Sequence, residues 1–243
     1  MIEHTPISAI SLGWFILVPF YIISFFAFIV ASIFIFHFIQ NKKKFENSFM
    51  LELLMVTIVF GMVFTLLIPR ALHANFSSLR GLIVVTLFVF FYVMIRKKSF
   101  SYIDVIALAT PLFLAIARLA CFIEWHCYGI FTNLPWGVSV NGGLPVHPTQ
   151  IYLSLINLSL FFILYNIRNF NFFNQMPGNM VFTYLASYSF LRLTLVEPLR
   201  YGVGTPDGFL RSSLLMLIFI ASFMIILIRN RDFYVKNHFI RKI

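Results

Sequence analysis

Charge is what this sequence has least of: its 243 residues include 8 Asp and Glu and 18 Lys and Arg, so only 11% of the chain is charged. A soluble domain devotes about a quarter of its positions to charge. A single water-facing core of this length would therefore lack the polar cover it needs. The cations form no stripe on a polar module, which leaves nucleic acid without a footprint. The first apolar run has neither a positively charged leader nor a small-residue cleavage site, so it is expected to stay as a span rather than leave as a signal peptide. No segment is duplicated, and the internal repeat common in transporters is missing. Cys121 and Cys127, even with His126 and His147 nearby, match no recognised zinc spacing, so no metal is expected. Six residues apart, the two cysteines would occupy poorly matched faces of a helix, which disfavours a disulfide.

Hydrophobic residues make up 60% of the chain and mean hydropathy is +0.92, the composition of an integral membrane protein. A window of about 20 residues, the length that spans the hydrocarbon, predicts an all-α polytopic fold of about seven transmembrane helices. They fall at 12–38, 49–68, 81–95, 103–123, 150–167, 179–197 and 212–228. Residues 1–243 are read as a single integral membrane domain, with a periplasmic or extracellular-side loop at about 124–148. The ends after helices one, three, five and seven hold twelve Lys and Arg residues, whereas the opposite face holds Arg70, Arg80, Arg200 and Arg211. Short cytoplasmic loops collect basic residues, which places the N-terminus outside and the C-terminus in the cytoplasm. The net charge of +10 is then mainly a topology signal, with attraction to anionic headgroups of membrane lipids as its by-product.

Two cations do not fit that scheme, Arg118 in the fourth predicted helix and Arg192 in the sixth. An arginine near a helix centre costs about 2.5–3.5 kcal/mol on insertion scales, and it normally faces a partner, a cavity or a substrate. Arg118 is close enough to its helix end to snorkel. Glu197 is the obvious partner for Arg192, but five residues is poor α-helical spacing, and Pro198 disturbs the backbone there. Guanidinium binds phosphate bidentately and stays charged in any dielectric, so a phospholipid headgroup is the natural ligand. The stretch NLPWGVSVNGGLPVHPTQIY is too rigid for a bare connector. Trp136 in it suits an interfacial anchor or a substrate contact. His147-Pro148-Thr149-Gln150 reads as a helix start, with Pro148 at the first helical position and His147 at the N-terminal end.

The ordered series Arg118-Leu119-Ala120-Cys121-Phe122, Tyr128-Gly129, Pro135-Trp136-Gly137, His147-Pro148-Thr149-Gln150-Ile151-Tyr152, then Tyr188, Arg192, Glu197 and Arg200 resembles the prolipoprotein diacylglyceryl transferase family. The likeness is clearest from Asp104 to Arg200. It implies seven membrane helices in the bacterial cytoplasmic (inner) membrane. It also implies an enzyme that moves the diacylglyceryl group of phosphatidylglycerol onto the lipobox cysteine thiol of prolipoprotein signal peptides, releasing glycerol phosphate and using no cofactor. By the same resemblance Arg118 falls on the family's headgroup-holding arginine, and Tyr188, Arg192, Glu197 and Arg200 fall on its later tyrosine, arginine, glutamate and arginine.

The chain departs from that pattern in several places. Ala117, Ala120 and Cys121 replace glycine and asparagine around the first arginine, His126 stands for a glutamate, and Leu79 for a histidine proposed as a base. The interval from Arg192 to Glu197 is one residue longer than usual. Such a reaction needs a base for a thiol of pKa about 8.5 and cations for the departing phosphate. His126 and His147 are the candidate bases. Arg118, Arg192 and Arg200 are candidates for the phosphate. Tyr188, four residues before Arg192, is placed to orient its guanidinium, and Gln150 and Tyr152 to line the same cavity. The alternatives are a catalytically degenerate phospholipid-binding protein of the same fold, motivated by the departures, and a small transporter.

Overall fold

The computed structural model describes residues 2–4, 10–12, 15–17, 19–40, 45–62, 78–124, 127–140, 143–202 and 205–240. Three short strands, β1 (Ile2–His4), β2 (Ile10–Leu12) and β3 (Phe15–Leu17), precede the helices α1 (Pro19–Gln40), α2 (Asn47–Met62), α3 (Ser78–Ile95) and α4 (Ser101–Ile123). A fourth strand, β4 (Val138–Val140), lies in the loop before α5 (Thr149–Ile167). The chain continues through the short α6 (Asn171–Gln175), α7 (Asn179–Leu191), a π-turn at Arg192–Val196, α8 (Glu197–Tyr201) and the long α9 (Pro206–Ile240). β2 and β3 form an antiparallel hairpin, and β1 pairs in parallel with β4, Ile2 opposite Val138.

The protein is mostly helical, and among the described residues three helical stretches are long and apolar enough to cross a membrane: Ser101–Ile123, Thr149–Ile167 and Gly208–Arg231. Shorter apolar helices run at Ile22–Phe38, Asn47–Phe60 and Val84–Ile95. Where the predicted first span begins, the backbone is extended through the β2–β3 hairpin, so the helix starts at Pro19. The predicted sixth span, 179–197, is interrupted at Arg192, where the ladder changes from α to π. α9 runs well past the predicted 212–228 because a hydropathy window stops at Arg229, whereas helical hydrogen bonding continues through Arg231 and Lys236.

The chain divides into two units, residues 1–31 with 107–243 and residues 32–106. In the smaller unit α2 and α3 pack together. Glu52 accepts from Tyr92 Oη at 2.5 Å and from Arg96 Nη2 at 2.8 Å, and Lys98 pairs with Glu46. In the larger unit α9 packs along α7, and α5 contacts α7 and the π-turn. Arg229 clamps the start of α7, donating from Nε to Asn179 Oδ1 at 2.5 Å and from Nη2 to the Pro177 carbonyl at 2.7 Å. Ser154 of α5 donates to the Ala115 carbonyl of α4 at 2.7 Å, the kind of interhelical hydrogen bond that substitutes for water in an apolar setting.

Candidate active site

The larger unit buries four of the sequence-predicted residues in one cluster. Arg118, near the C-terminal end of α4, is 3% exposed; Tyr188 on α7, Arg192 opening the π-turn and Glu197 opening α8 are 2%, 0% and 2% exposed. Five residues should carry Glu197 about 140° past Arg192 on an α-helix. The π-turn removes that mismatch: the Glu197 N–H reaches back to the Arg192 carbonyl, an i to i+5 bond. The two side chains thereby face each other, and Arg192 Nε donates to Glu197 Oε1 at 2.5 Å. Pro198, which has no N–H to continue an α ladder, stands two residues after the π-turn.

Arg192 Nη1 donates to Tyr188 Oη at 3.0 Å. Arg118 also acts on this phenol electrostatically, so Tyr188 lies in the field of two buried guanidiniums. Two buried guanidiniums, Arg118 and Arg192, lie in this cluster, and fixed cations in a low-dielectric site suit an anion. Among the described residues, Arg192 Nη2 and Glu197 Oε2 are buried with no hydrogen-bond partner, as is Nη1 of the partly exposed Arg200. Buried polar atoms are almost always satisfied. The nitrogens call for an acceptor and Oε2 calls for a donor. Behind Tyr188, Tyr184 lies 5.7 Å away ring to ring and donates to Asn157 Oδ1 at 3.3 Å, with Asn157 and Tyr184 fully packed. Sequence reasoning passed over this pair. Asn157 was visible as a polar residue inside an apolar helix, and Tyr184 as a residue one turn before Tyr188.

A second cluster surrounds His147. α5 begins at Thr149, so Pro148 caps the helix rather than occupying its first position. His147 is 8% exposed, and its Nδ1 lies 3.2 Å from Tyr152 Oη, which accepts from Trp136 Nε1 at 2.9 Å. Since Tyr152 accepts from the indole, its own proton is available to His147 Nδ1, which fits a neutral ring with its hydrogen on Nε2. Burial pulls the His147 pKa down and so favours that neutral form. The ring contacts of His147 go to Tyr152 and not to the arginines. An apolar cavity of about 460 Å³ opens beside this cluster, lined by Phe122, Trp136, Ile151, Tyr152 and Leu155 among others.

The backbone of the loop ties the two clusters together. Gly129 N–H donates to the His147 carbonyl at 2.8 Å, His147 N–H to the Ile130 carbonyl at 3.0 Å, and Ile130 N–H to the Leu199 carbonyl of α8 at 2.9 Å. A Cβ on Gly129 would come within 2.3 Å of the Leu199 oxygen and 2.8 Å of His147 Cβ, so glycine is required where the histidine segment and α8 converge. Gln150, 1% exposed, lies within the first turn of α5. His126 lies outside the described residues. Leu79 falls in the first turn of α3, in the smaller unit.

Comparison with known proteins adds an independent line. The family model for prolipoprotein diacylglyceryl transferase matches residues 8–229. The chain is 36% identical over 112 residues to a phosphatidylglycerol–prolipoprotein diacylglyceryl transferase of Clostridioides difficile, covering 45% of this chain and 43% of that protein. It is 37% identical over 113 residues to the transferase of Finegoldia magna, covering 45% and 44%. For the transferase of Campylobacter jejuni strain RM1221 the identity is 29% over 112 residues, covering 45% and 40%. The matched stretch thus spans less than half the length of these relatives.

Proposed function

Because this chain belongs to the prolipoprotein diacylglyceryl transferase family, we propose that it transfers the diacylglyceryl group of phosphatidylglycerol to the lipobox cysteine thiol of a prolipoprotein. The observation that carries this reading is the pattern of unsatisfied atoms around the Arg192–Glu197 pair. Phosphate oxygens satisfy the guanidinium nitrogens, and a glycerol hydroxyl satisfies Glu197 Oε2. A phosphoglycerol headgroup offers both acceptor and donor, whereas sulfate or a phosphocholine headgroup has acceptor oxygens and no hydroxyl to donate.

In this mechanism Arg118 and Arg192 hold the phosphate and Tyr188 fixes the Arg192 guanidinium. The lipobox thiolate attacks the glycerol carbon bearing the phosphate. A carbon–sulfur bond forms, the carbon–oxygen bond breaks, and glycerol phosphate leaves with the electron pair. The negative charge that builds on the departing phosphate is stabilised by the fixed cations, with Arg200 receiving it toward the headgroup surface. His147, neutral because it is buried, takes the thiol proton through the Tyr152 hydroxyl. Gln150 at the start of α5 orients the substrate, and the neighbouring apolar cavity accommodates hydrocarbon. His126 is the alternative base, and separate replacement of the two histidines distinguishes them: transfer is lost with one and kept with the other.

We further infer that the chain is one integral membrane domain with seven spans, an outside N-terminus and a cytoplasmic C-terminus, residing in the bacterial cytoplasmic membrane. The twelve-to-four distribution of basic residues supports that orientation. The test of function is expression in a strain depleted of its own transferase, followed by the mass of a reporter lipoprotein. Diacylglyceryl addition is expected. A well-expressed protein that leaves the reporter unmodified would overturn the proposal in favour of a phospholipid-binding protein without the reaction.

A further inference from the structure

Two buried polar side chains, Asn157 of α5 and Tyr184 of α7, have no part in the chemistry above. A polar group deep in an apolar helix is costly, and it normally has a partner or a function. Here each serves the other. Asn157 Nδ2 donates to the Leu153 carbonyl one turn back at 2.7 Å, and Tyr184 Oη donates to Asn157 Oδ1 at 3.3 Å. Only the amide nitrogen can donate to a carbonyl, so the first bond fixes the amide with its oxygen as the acceptor for Tyr184. The Tyr184 ring, tied at its hydroxyl, lies 5.7 Å from the ring of Tyr188, one helical turn on. Tyr188 Oη in turn accepts from Arg192 Nη1 at 3.0 Å. A run of contacts thus leads from the backbone of α5 to the guanidinium that opens the π-turn. Three residues before Asn157, Ser154 donates to the Ala115 carbonyl, so α5 is bonded also to the helix that carries Arg118.

We propose that Asn157 and Tyr184 are positioning residues for the transfer, acting through Tyr188 to hold Arg192 where the phosphate departs. The inference rests on the transferase reading. Arg192 stands where the regular α ladder gives way to the π-turn, so its guanidinium depends on side-chain contacts for its place. Glu197 Oε1 takes Nε and Tyr188 takes Nη1, while among the described residues Nη2 has no partner and stays open to an anion. Tyr188 can hold its end only if its ring is kept from rocking, and the tied Tyr184 ring supports that side. Locking a binding side chain through its neighbours is how a site keeps its geometry to within a fraction of an ångström. A neutral brace does so without giving Arg192 a second counter-charge that would compete with phosphate. Neither residue reaches substrate in this scheme; both act on the cation that does.

The test measures kcat and KM for a lipobox peptide, with phosphatidylglycerol as donor, on the full chain recovered folded in detergent. Tyr184→Phe keeps the ring and removes the hydroxyl, and Asn157→Leu removes the acceptor. Each should lower kcat by about 10–100-fold, the scale for a misplaced reacting geometry, with KM for the peptide unchanged. The double variant leaves neither partner buried without a bond, so its melting midpoint should return toward the parental value while kcat stays low. In a Tyr188→Phe background, Tyr184→Phe should cause no further loss, because the path through the phenol is already cut. A double variant with parental kcat would overturn the proposal and leave the pair a role in stability alone. A full additional loss in the Tyr188→Phe background would overturn it too, since the pair would then act by another path. A folded parent that transfers nothing removes the transferase reading itself, and the proposal with it.

Discussion

Glu197→Ala isolates what the Arg192–Glu197 pair contributes. Both side chains are essentially inaccessible, and the Nε to Oε1 distance is 2.5 Å. Removing the carboxylate leaves a fully buried guanidinium whose remaining anchor is Tyr188, with Nη2 unsatisfied as before. Breaking a buried pair from one side typically costs about 3–5 kcal/mol, because the surviving charge keeps its desolvation penalty and loses its counter-charge. For a domain of this size each kcal/mol shifts the midpoint by about 2–4 °C, so Glu197→Ala should melt roughly 6–20 °C below the parent. The assay is thermal unfolding in detergent, followed by size-exclusion recovery. Replacing both partners, Arg192→Met with Glu197→Leu, should recover most of that loss, since an apolar pair of similar volume pays no desolvation penalty. The double variant should nevertheless be inactive in transfer, having lost a phosphate-holding cation. A Glu197→Ala protein melting within a degree or two of the parent would refute the reasoning, and so would a double variant that keeps transfer activity.

Arg118→Ala should lower transfer by about 10²–10³-fold, the scale for losing one preorganised charge stabiliser, while Arg118→Lys recovers only part because ammonium cannot bind phosphate bidentately; turnover on a synthetic lipobox peptide measures both. Gly129→Ala should destabilise the protein by driving a methyl group against the Leu199 carbonyl at 2.3 Å, visible as reduced yield and a lower melting midpoint. His147 should make stability pH-dependent. Its folded pKa lies below the usual 6.5, so the unfolded chain binds more protons between the two values. Its contribution is therefore complete above about pH 6.5 and lost as pH falls through the depressed value, and His147→Asn should flatten that part of the melting profile.

The middle helices were legible because their apolar runs are long and end at sharp polar breaks. The predicted 103–123 and 150–167 fall within two residues of Ser101–Ile123 and Thr149–Ile167. Arg118 and Arg192 were legible because a cation in an apolar helix must have a partner, and Tyr188 through the resemblance and its place four residues before Arg192. The Arg192–Glu197 contact was hidden because a 3.6-residue period puts the two on different faces, and nothing in five letters of sequence announces a π-turn except the proline that follows it. The Trp136–Tyr152–His147 chain joins positions 16 and 5 residues apart through a loop fold that local patterns do not encode.

The most direct measurement is made with purified components. The protein, reconstituted with phosphatidylglycerol, is incubated with a lipobox-containing prolipoprotein segment, and the peptide is weighed by mass spectrometry alongside an Arg192→Ala control shown to be folded. The account predicts one diacylglyceryl group on the lipobox cysteine with the parent protein, stoichiometric release of glycerol phosphate, and neither with the control. Transfer that persists undiminished in the folded Arg192→Ala protein would contradict it, as would an unmodified peptide in the presence of the folded parent.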